Sequence, residues 1–326
     1  MVVVTRCFAS AQQEVCRVTV CIAARSGSNV IGASDRMLTS GDIQFEPSLI
    51  SKFTQITTSL GILQAGDAAF HSEIMWGVVA EVQERITAHP QDWWLASDIS
   101  DLYVKHRTAI KRKRAQAAIL SPLGLTIEGF LTNQNQFKDD IADQITRDII
   151  NYEVPDVSVL VVGIDPKGPH IYVVDNGEIS CNDVIGFAAI GIGARHAESQ
   201  FMLGKHSWQL PLADTALLTY AAKKRSEIAP GVGKATDMFT AGPGLGSLEV
   251  VGQDVVDRLD TAYRRMKRRE ERCQQDAQKE VNAYVQEREA RYRATLEQQT
   301  VPRREHDGEG ATNSGEAGPA ISTQKA

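Results

Sequence analysis

Thr19 opens an alternating apolar run, and Asp35, sixteen residues later, closes the next one together with Arg36. The stretch VTVCIAARSGSNVIGASDR, residues 18–36, reads as two strands joined by the tight turn Ser26-Gly27-Ser28. An aspartate and an arginine just past Val30-Ile31-Gly32-Ala33 need partners, because unpaired charge in an apolar setting is costly. A threonine hydroxyl is a poor nucleophile until a base takes its proton, and a free α-amine on the same residue can be that base. Taken singly, the same residues have plain structural roles, Thr19 as a β-branched strand residue and Asp35-Arg36 as a strand-end ion pair. Cys21 shares a strand face with Thr19 and Ala23 and reads as a core cysteine.

Other chemistry is thinly represented. The five cysteines (Cys7, Cys16, Cys21, Cys181, Cys273) are an odd number without CxxC spacing or a paired histidine cluster. That argues against a disulfide framework and a structural zinc site, fits a reducing, cytoplasmic setting, and leaves no metal or cofactor to expect. A net charge of −6 gives no general attraction to nucleic acid or anionic lipid. Basic runs at 111–114 and 264–272 read as solvated helix faces. The second is interrupted by Glu270 and Glu271 and lacks interleaved aromatics, so a nucleic-acid adaptor is the weaker reading. The apolar start Met1-Val2-Val3-Val4 meets Arg6 at once, and no run reaches membrane-spanning length, so a soluble protein is expected.

The positioning elements follow from periodicity. Alternation predicts strands at 17–24 and 29–34, then at 52–56 and 60–65 around the turn Thr57-Thr58-Ser59. Helical spacing covers 68–87, and a second helix, capped by Asp98 or Ser100, runs to about residue 120, where Ser121-Pro122-Leu123-Gly124 breaks it. The pattern turns helical again over 137–152. Three strands are then predicted at 157–164, 170–175 and within 184–192, helices at 194–204 and 211–228, and strands at 236–241 and 246–251. Strand blocks alternating with helix pairs suggest two sheets face to face with helices outside, an α+β, four-layer αββα sandwich. Residues 253–299 form a long charged helix with a thin apolar stripe, Leu259, Tyr263, Met266, Cys273, Ala277, Val281 and Tyr284. The glycine- and serine-rich segment 301–326 has almost nothing to bury and is expected to be disordered.

The spacings resemble those of the proteasome β subunits and their bacterial relatives HslV and Anbu, which are amino-terminal nucleophile (Ntn) hydrolases. In that family a strand begins with the catalytic threonine, an aspartate closes the second strand, a glycine stands six residues on, a lysine opens the third strand, and a glycine ends the fourth. Thr19, Asp35, Gly41, Lys52 and Gly66 occupy those positions, with one extra residue between Asp35 and Lys52. The resemblance implies that Lys52 sits beside the Thr19 hydroxyl, that Asp35 pairs with Lys52, and that the Gly66 N–H faces the tetrahedral oxyanion. Alone, Lys52 would read as a snorkelling edge lysine and Gly66 as a turn glycine.

The resemblance spans residues 18–251 and is strongest near their start. Farther on, Gly191-Ile192-Gly193 puts an isoleucine where the family has a serine, and Glu227, Pro230 and Gly231 stand nearest its aspartate, serine and glycine. Glu227 is thus a candidate supporting carboxylate. An α-amine exists on Thr19 only if Thr19 begins the chain, so residues 1–18 read either as a propeptide or as sequence upstream of a true start at Val18. The expected organisation is 1–18 leader, 19–252 hydrolase domain, 253–300 helical extension and 301–326 tail. The expected activity is a threonine-dependent peptidase or amidase in a homo-oligomer, its substrate a peptide or protein and any ATPase partner left open. The rival is a catalytically silent assembly subunit of the same class.

Overall fold

The computed structural model describes residues 19–40, 43–47 and 50–300; the expectations placed on residues 1–18, on Gly41 and on residues 301–326 lie outside the described residues. The protein is mixed α+β. β1 (Cys21–Ser26) and β2 (Asn29–Ser34) form the first expected hairpin. β3 (Leu38–Ser40) and β4 (Ile43–Phe45) make a small ribbon that alternation does not predict. β5 (Phe53–Gln55) and β6 (Leu60–Gly66) form the second expected hairpin, followed by α1 (Ala68–Ala88) and α2 (Ala96–Ala115). After α3 (Ile127–Asn133) and α4 (Asp139–Ile150) come β7 (Val157–Asp165), β8 (Gly168–Asp175), β9 (Glu178–Cys181) and β10 (Phe187–Ile190). α5 (Ala194–Leu203), α6 (Leu212–Ser226), β11 (Asp237–Ala241), β12 (Glu249–Val250) and α7 (Gln253–Thr300) complete the order.

Among the described residues the strands make two five-stranded antiparallel sheets, ordered β10-β1-β2-β11-β12 and β5-β6-β7-β8-β9, besides the β3–β4 ribbon. Interior strands of both sheets are apolar on two faces, which forces a layer onto each face. In β7, Val157, Val159 and Val161 join the core under α1 and α2, while Leu160, Val162 and Ile164 join a core shared with Cys21, Ala23 and Val30 of the other sheet. In β1, Cys21 and Ala23 face that shared core, and Ile22 and Ala24 face α5 and α6. Phe53 and Phe239, one from each sheet, stack at 4.4 Å. A buried side chain of this size contributes about 1.5–3 kcal/mol, so the three cores fix the strand ends that carry the polar residues.

Several local expectations need correction. Neither Asp98 nor Ser100 caps α2. The helix begins at Ala96, whose N–H donates to Asp165 Oδ2 (3.0 Å) from the end of β7, while Ser100 Oγ turns back to the Ala96 carbonyl (2.9 Å). α3 was not expected; Thr126 caps it, and Ile127 and Phe130 gather with Leu120 and Ile145 in a satellite core. β9 was missed because all four of its residues are exposed, and β10 is shorter than the apolar run suggests because Val184 and Ile185 lie in the open.

The chain divides into two compact units between Met266 and Lys267, inside α7 rather than at the expected boundary after residue 252. The first turns of α7 belong to the first unit: Val256 is buried in the core under α5 and α6, Leu259 and Tyr263 pack against that core, and Asp260 accepts a hydrogen bond from the Tyr220 hydroxyl (2.8 Å). From Lys267 to Leu296 every described side chain is exposed. No described helix is long and apolar enough to cross a membrane.

Candidate active site

Thr19 lies two residues before β1 and Asp35 directly after β2. The hairpin register, Cys21 opposite Ser34, therefore brings the two ends of the sequence stretch side by side. The Asp35 N–H donates to the Val20 carbonyl (3.2 Å), extending the ladder past the assigned strands. Lys52 stands directly before β5, on the facing sheet. All three side chains are buried, Thr19 at 1% and Asp35 at 0% exposure.

The three meet. Thr19 Oγ1 donates to Asp35 Oδ1 (2.7 Å), Lys52 Nζ donates to the same oxygen (2.8 Å), and Lys52 Nζ also donates to Thr19 Oγ1. The Val20 N–H adds a third contact to Asp35 Oδ1 (2.9 Å), while Oδ2 accepts from the N–H groups of Met37 (3.0 Å) and Gly233 (2.9 Å). Burial works to push the Asp35 carboxyl up, but the Lys52 ammonium and the hydrogen bonds outweigh it, and its pKa lies below the usual carboxylate range. Asp35 is thus held as an anion with both oxygens saturated. An ammonium in contact with the Thr19 hydroxyl lowers the cost of negative charge on that oxygen. Arg36 turns to the other side and bonds Asp237 at the start of β11 (Nε to Oδ1, 2.8 Å).

The backbone of Thr19 is held as closely as its side chain. Its carbonyl accepts from the Gly193 N–H (3.1 Å). Gly191, with φ of +90°, lies so near that a Cβ there would sit 2.4 Å from the Thr19 carbonyl oxygen. Only glycine suits that backbone and that gap. The pair Gly191 and Gly193 was visible in the sequence, but only the fold shows that the pair grips Thr19. Ile192 between them packs on the core under α5 and α6 and offers no hydroxyl.

Other expected members fall differently. Glu227 is not in the cluster: it follows α6 and accepts from Lys223 Nζ (2.6 Å) and Lys224 Nζ (2.8 Å). The glycine that reaches Asp35 is Gly233, two residues beyond Gly231. Gly66 ends β6 with φ of +108°, and a Cβ there would strike the Asp156 carbonyl at 2.4 Å. Its lack of a side chain is thus required by the neighbouring strand, not only by access for a substrate. The Cys21 thiol donates to the Gln64 carbonyl (3.1 Å); burial pushes its pKa up to about 12, so it remains a thiol and a core residue. Among the described residues no group of three or more histidine, cysteine or carboxylate side chains is gathered to hold a metal ion. No protein-family model matches the chain, and no curated protein does.

Proposed function

We propose that the chain is a threonine-type hydrolase of peptide or amide bonds, of the proteasome-like Ntn class, whose nucleophile is Thr19 Oγ1 once Thr19 begins the chain. The single observation that carries this reading is the contact of one hydroxyl with both a carboxylate and an ammonium, Asp35 and Lys52. The face-to-face sheets with helical cores outside agree with the αββα sandwich that the class uses.

On this reading the freed α-amine of Thr19 takes the hydroxyl proton as Oγ1 attacks the substrate carbonyl carbon. The carbonyl π pair moves to oxygen, and the Gly66 N–H is the proposed donor to that oxyanion. Collapse expels the amine, which leaves with the proton, and an ester remains on Thr19. Water, deprotonated by the α-amine, then hydrolyses the ester and restores the hydroxyl. Lys52 lowers the cost of the negative charge on Oγ1 and Asp35 keeps Lys52 and the hydroxyl in register. A homo-oligomer in the cytoplasm completes the proposal.

A silent assembly subunit is the second reading. It is favoured by the 1% exposure of Thr19 and by Ile192, which supplies no hydroxyl beside the grip on Thr19. Amino-terminal sequencing and intact mass of the protein from its own cell discriminate the two. A chain starting at Thr19, with turnover of peptide amides lost in Thr19→Ala, is the result expected of the hydrolase. An amino terminus that is extended or blocked, with no turnover, leaves the silent subunit.

A further inference from the structure

Lys223 in α6 is wholly buried, yet the sequence offers no reason for it. Its ammonium donates to Glu227 Oε1 (2.6 Å) and to the carbonyls of Gly233 and Lys234 (2.9 Å each), which engages three donors and fixes the group in place. The segment it holds is the one whose Gly233 N–H donates to Asp35 Oδ2 (2.9 Å). Three residues on, Ser226 Oγ donates to the Gly193 carbonyl (3.0 Å), and the Gly193 N–H holds the Thr19 carbonyl. Spacing of three residues puts Lys223 and Ser226 on one helix face, and α6 packs across β1 and β2.

We propose that Lys223 is a positioning residue for the Thr19 site: held by Glu227, it pins the 233–234 backbone so that the Gly233 N–H and a second positive charge fix Asp35, and Asp35 in turn fixes Lys52 and the Thr19 hydroxyl. Its consequence for turnover rests on the hydrolase reading; its geometry does not. The charged and titratable groups acting on Lys223 are Glu227, Lys224 and Asp35. Those around Asp35 are Lys52, Cys21 and Lys223, with Arg36 next in sequence and Glu46 lying against Gly233. A lysine whose hold on the 233–234 carbonyls did not place the Gly233 N–H against Asp35 would leave the protonation of Asp35 untouched when replaced by a side chain of equal bulk.

The test follows the Asp35 carboxyl carbon by NMR against pH in the full chain, its resonance assigned by its loss in Asp35→Asn. Lys223→Met removes the charge. Lys223→Met with Glu227→Gln removes both charges of the pair and keeps the experiment open if the single variant does not fold. The expected result is a midpoint moved to higher pH in each folded variant and unmoved in Lys224→Met. An unmoved midpoint in the Lys223 variants, or an equal move in Lys224→Met, overturns the proposal. In the unsubstituted chain the Gly233 amide shift follows the same titration; an amide indifferent to it overturns the link as well.

A second arm separates this from the nature of the site. A peptide β-lactone is opened when Thr19 Oγ1 adds to its carbonyl, the ring C–O bond breaks and the proton passes to the released ring oxygen, so the mass rises by the whole probe. Labelling about tenfold slower in the double variant is expected of a misplaced nucleophile. No labelling of the parent, or labelling that survives Thr19→Ala, defeats the hydrolase reading, while the Asp35 titration still decides the role of Lys223.

Discussion

At Asp35, five hydrogen-bond donors converge on two oxygens: the Thr19 hydroxyl, the Lys52 ammonium and the N–H groups of Val20, Met37 and Gly233. Removing one partner of a buried pair leaves a charge without compensation, so Asp35→Asn and Lys52→Met should each destabilise the fold by about 3–5 kcal/mol. The double variant removes both charges and should fall short of the sum by about 0.5–3 kcal/mol, the mark of direct contact. Urea unfolding of all four proteins checks this, and strict additivity would falsify the pair. Because the Asp35 pKa is depressed in the folded state, its contribution is present above the ordinary value of 3.8 and is lost as pH falls through the folded value. The parent should therefore lose stability on acidification more steeply than Asp35→Asn. Thr19→Ala removes one hydroxyl while Lys52 still meets Asp35, so it should cost only about 1 kcal/mol yet abolish hydrolysis, and Thr19→Ser should retain part of it. Asp35 was legible in the sequence because a charge in an apolar setting demands a partner, whereas Lys52, on its own an edge lysine, was singled out only by the resemblance of the spacings. Gly233 and Lys223 were not legible, since their link to Asp35 closes a loop of 198 residues that no local pattern encodes.

The strands that hold this site show which elements a sequence announces. β7 was plain because nine consecutive buried residues with apolar side chains on both faces can only be a covered central strand. The start of α2 was misread because its cap, Asp165, comes from the far end of β7 and not from the helix's own first turn. The same carboxylate accepts at Oδ1 from His170 Nε2 (3.0 Å), whose Nδ1 faces Asp183 Oδ2 (2.6 Å). A carboxylate at each nitrogen favours the protonated ring. The hydrogen bond to Asp183 and the charges of Asp165 and Asp183 raise its pKa above the ordinary 6.5 against the opposing effect of burial. A raised folded value means that the stabilisation is complete below pH 6.5 and fades as pH rises through the folded pKa. His170→Gln should accordingly lower the unfolding midpoint at pH 6 and approach the parent at alkaline pH. A deficit of constant size across that range would show that His170 acts by packing alone.

Over the whole chain, the composition of α7 led to a boundary at its first residue, whereas the contacts place the division at Met266 and Lys267. Periodicity could not separate the two halves of the helix, because the stripe Leu259, Tyr263 and Met266 continues in register into Val281 and Tyr284. What separates them is burial. Leu259 and Tyr263 pack against the core under α5 and α6, while Val281, Tyr284, Val285, Tyr292 and Leu296 are exposed. Removing residues from Asp257 onward would strip Leu259 and Tyr263 from that core and take away the Asp260 partner of Tyr220, a loss of about 2–4 kcal/mol. Removing residues 267–326 touches none of these contacts, so the shorter chain should unfold at the same denaturant concentration as the parent. The apolar side chains of Val281, Tyr284, Val285 and Tyr292 are exposed on the distal half of the helix and fit a role in the proposed homo-oligomer. Light scattering of the 1–266 chain should then give an assembly of lower order than the full chain, with the melting of each protomer unchanged. If the two chains form assemblies with the same number of copies, the distal half of α7 plays no part in association.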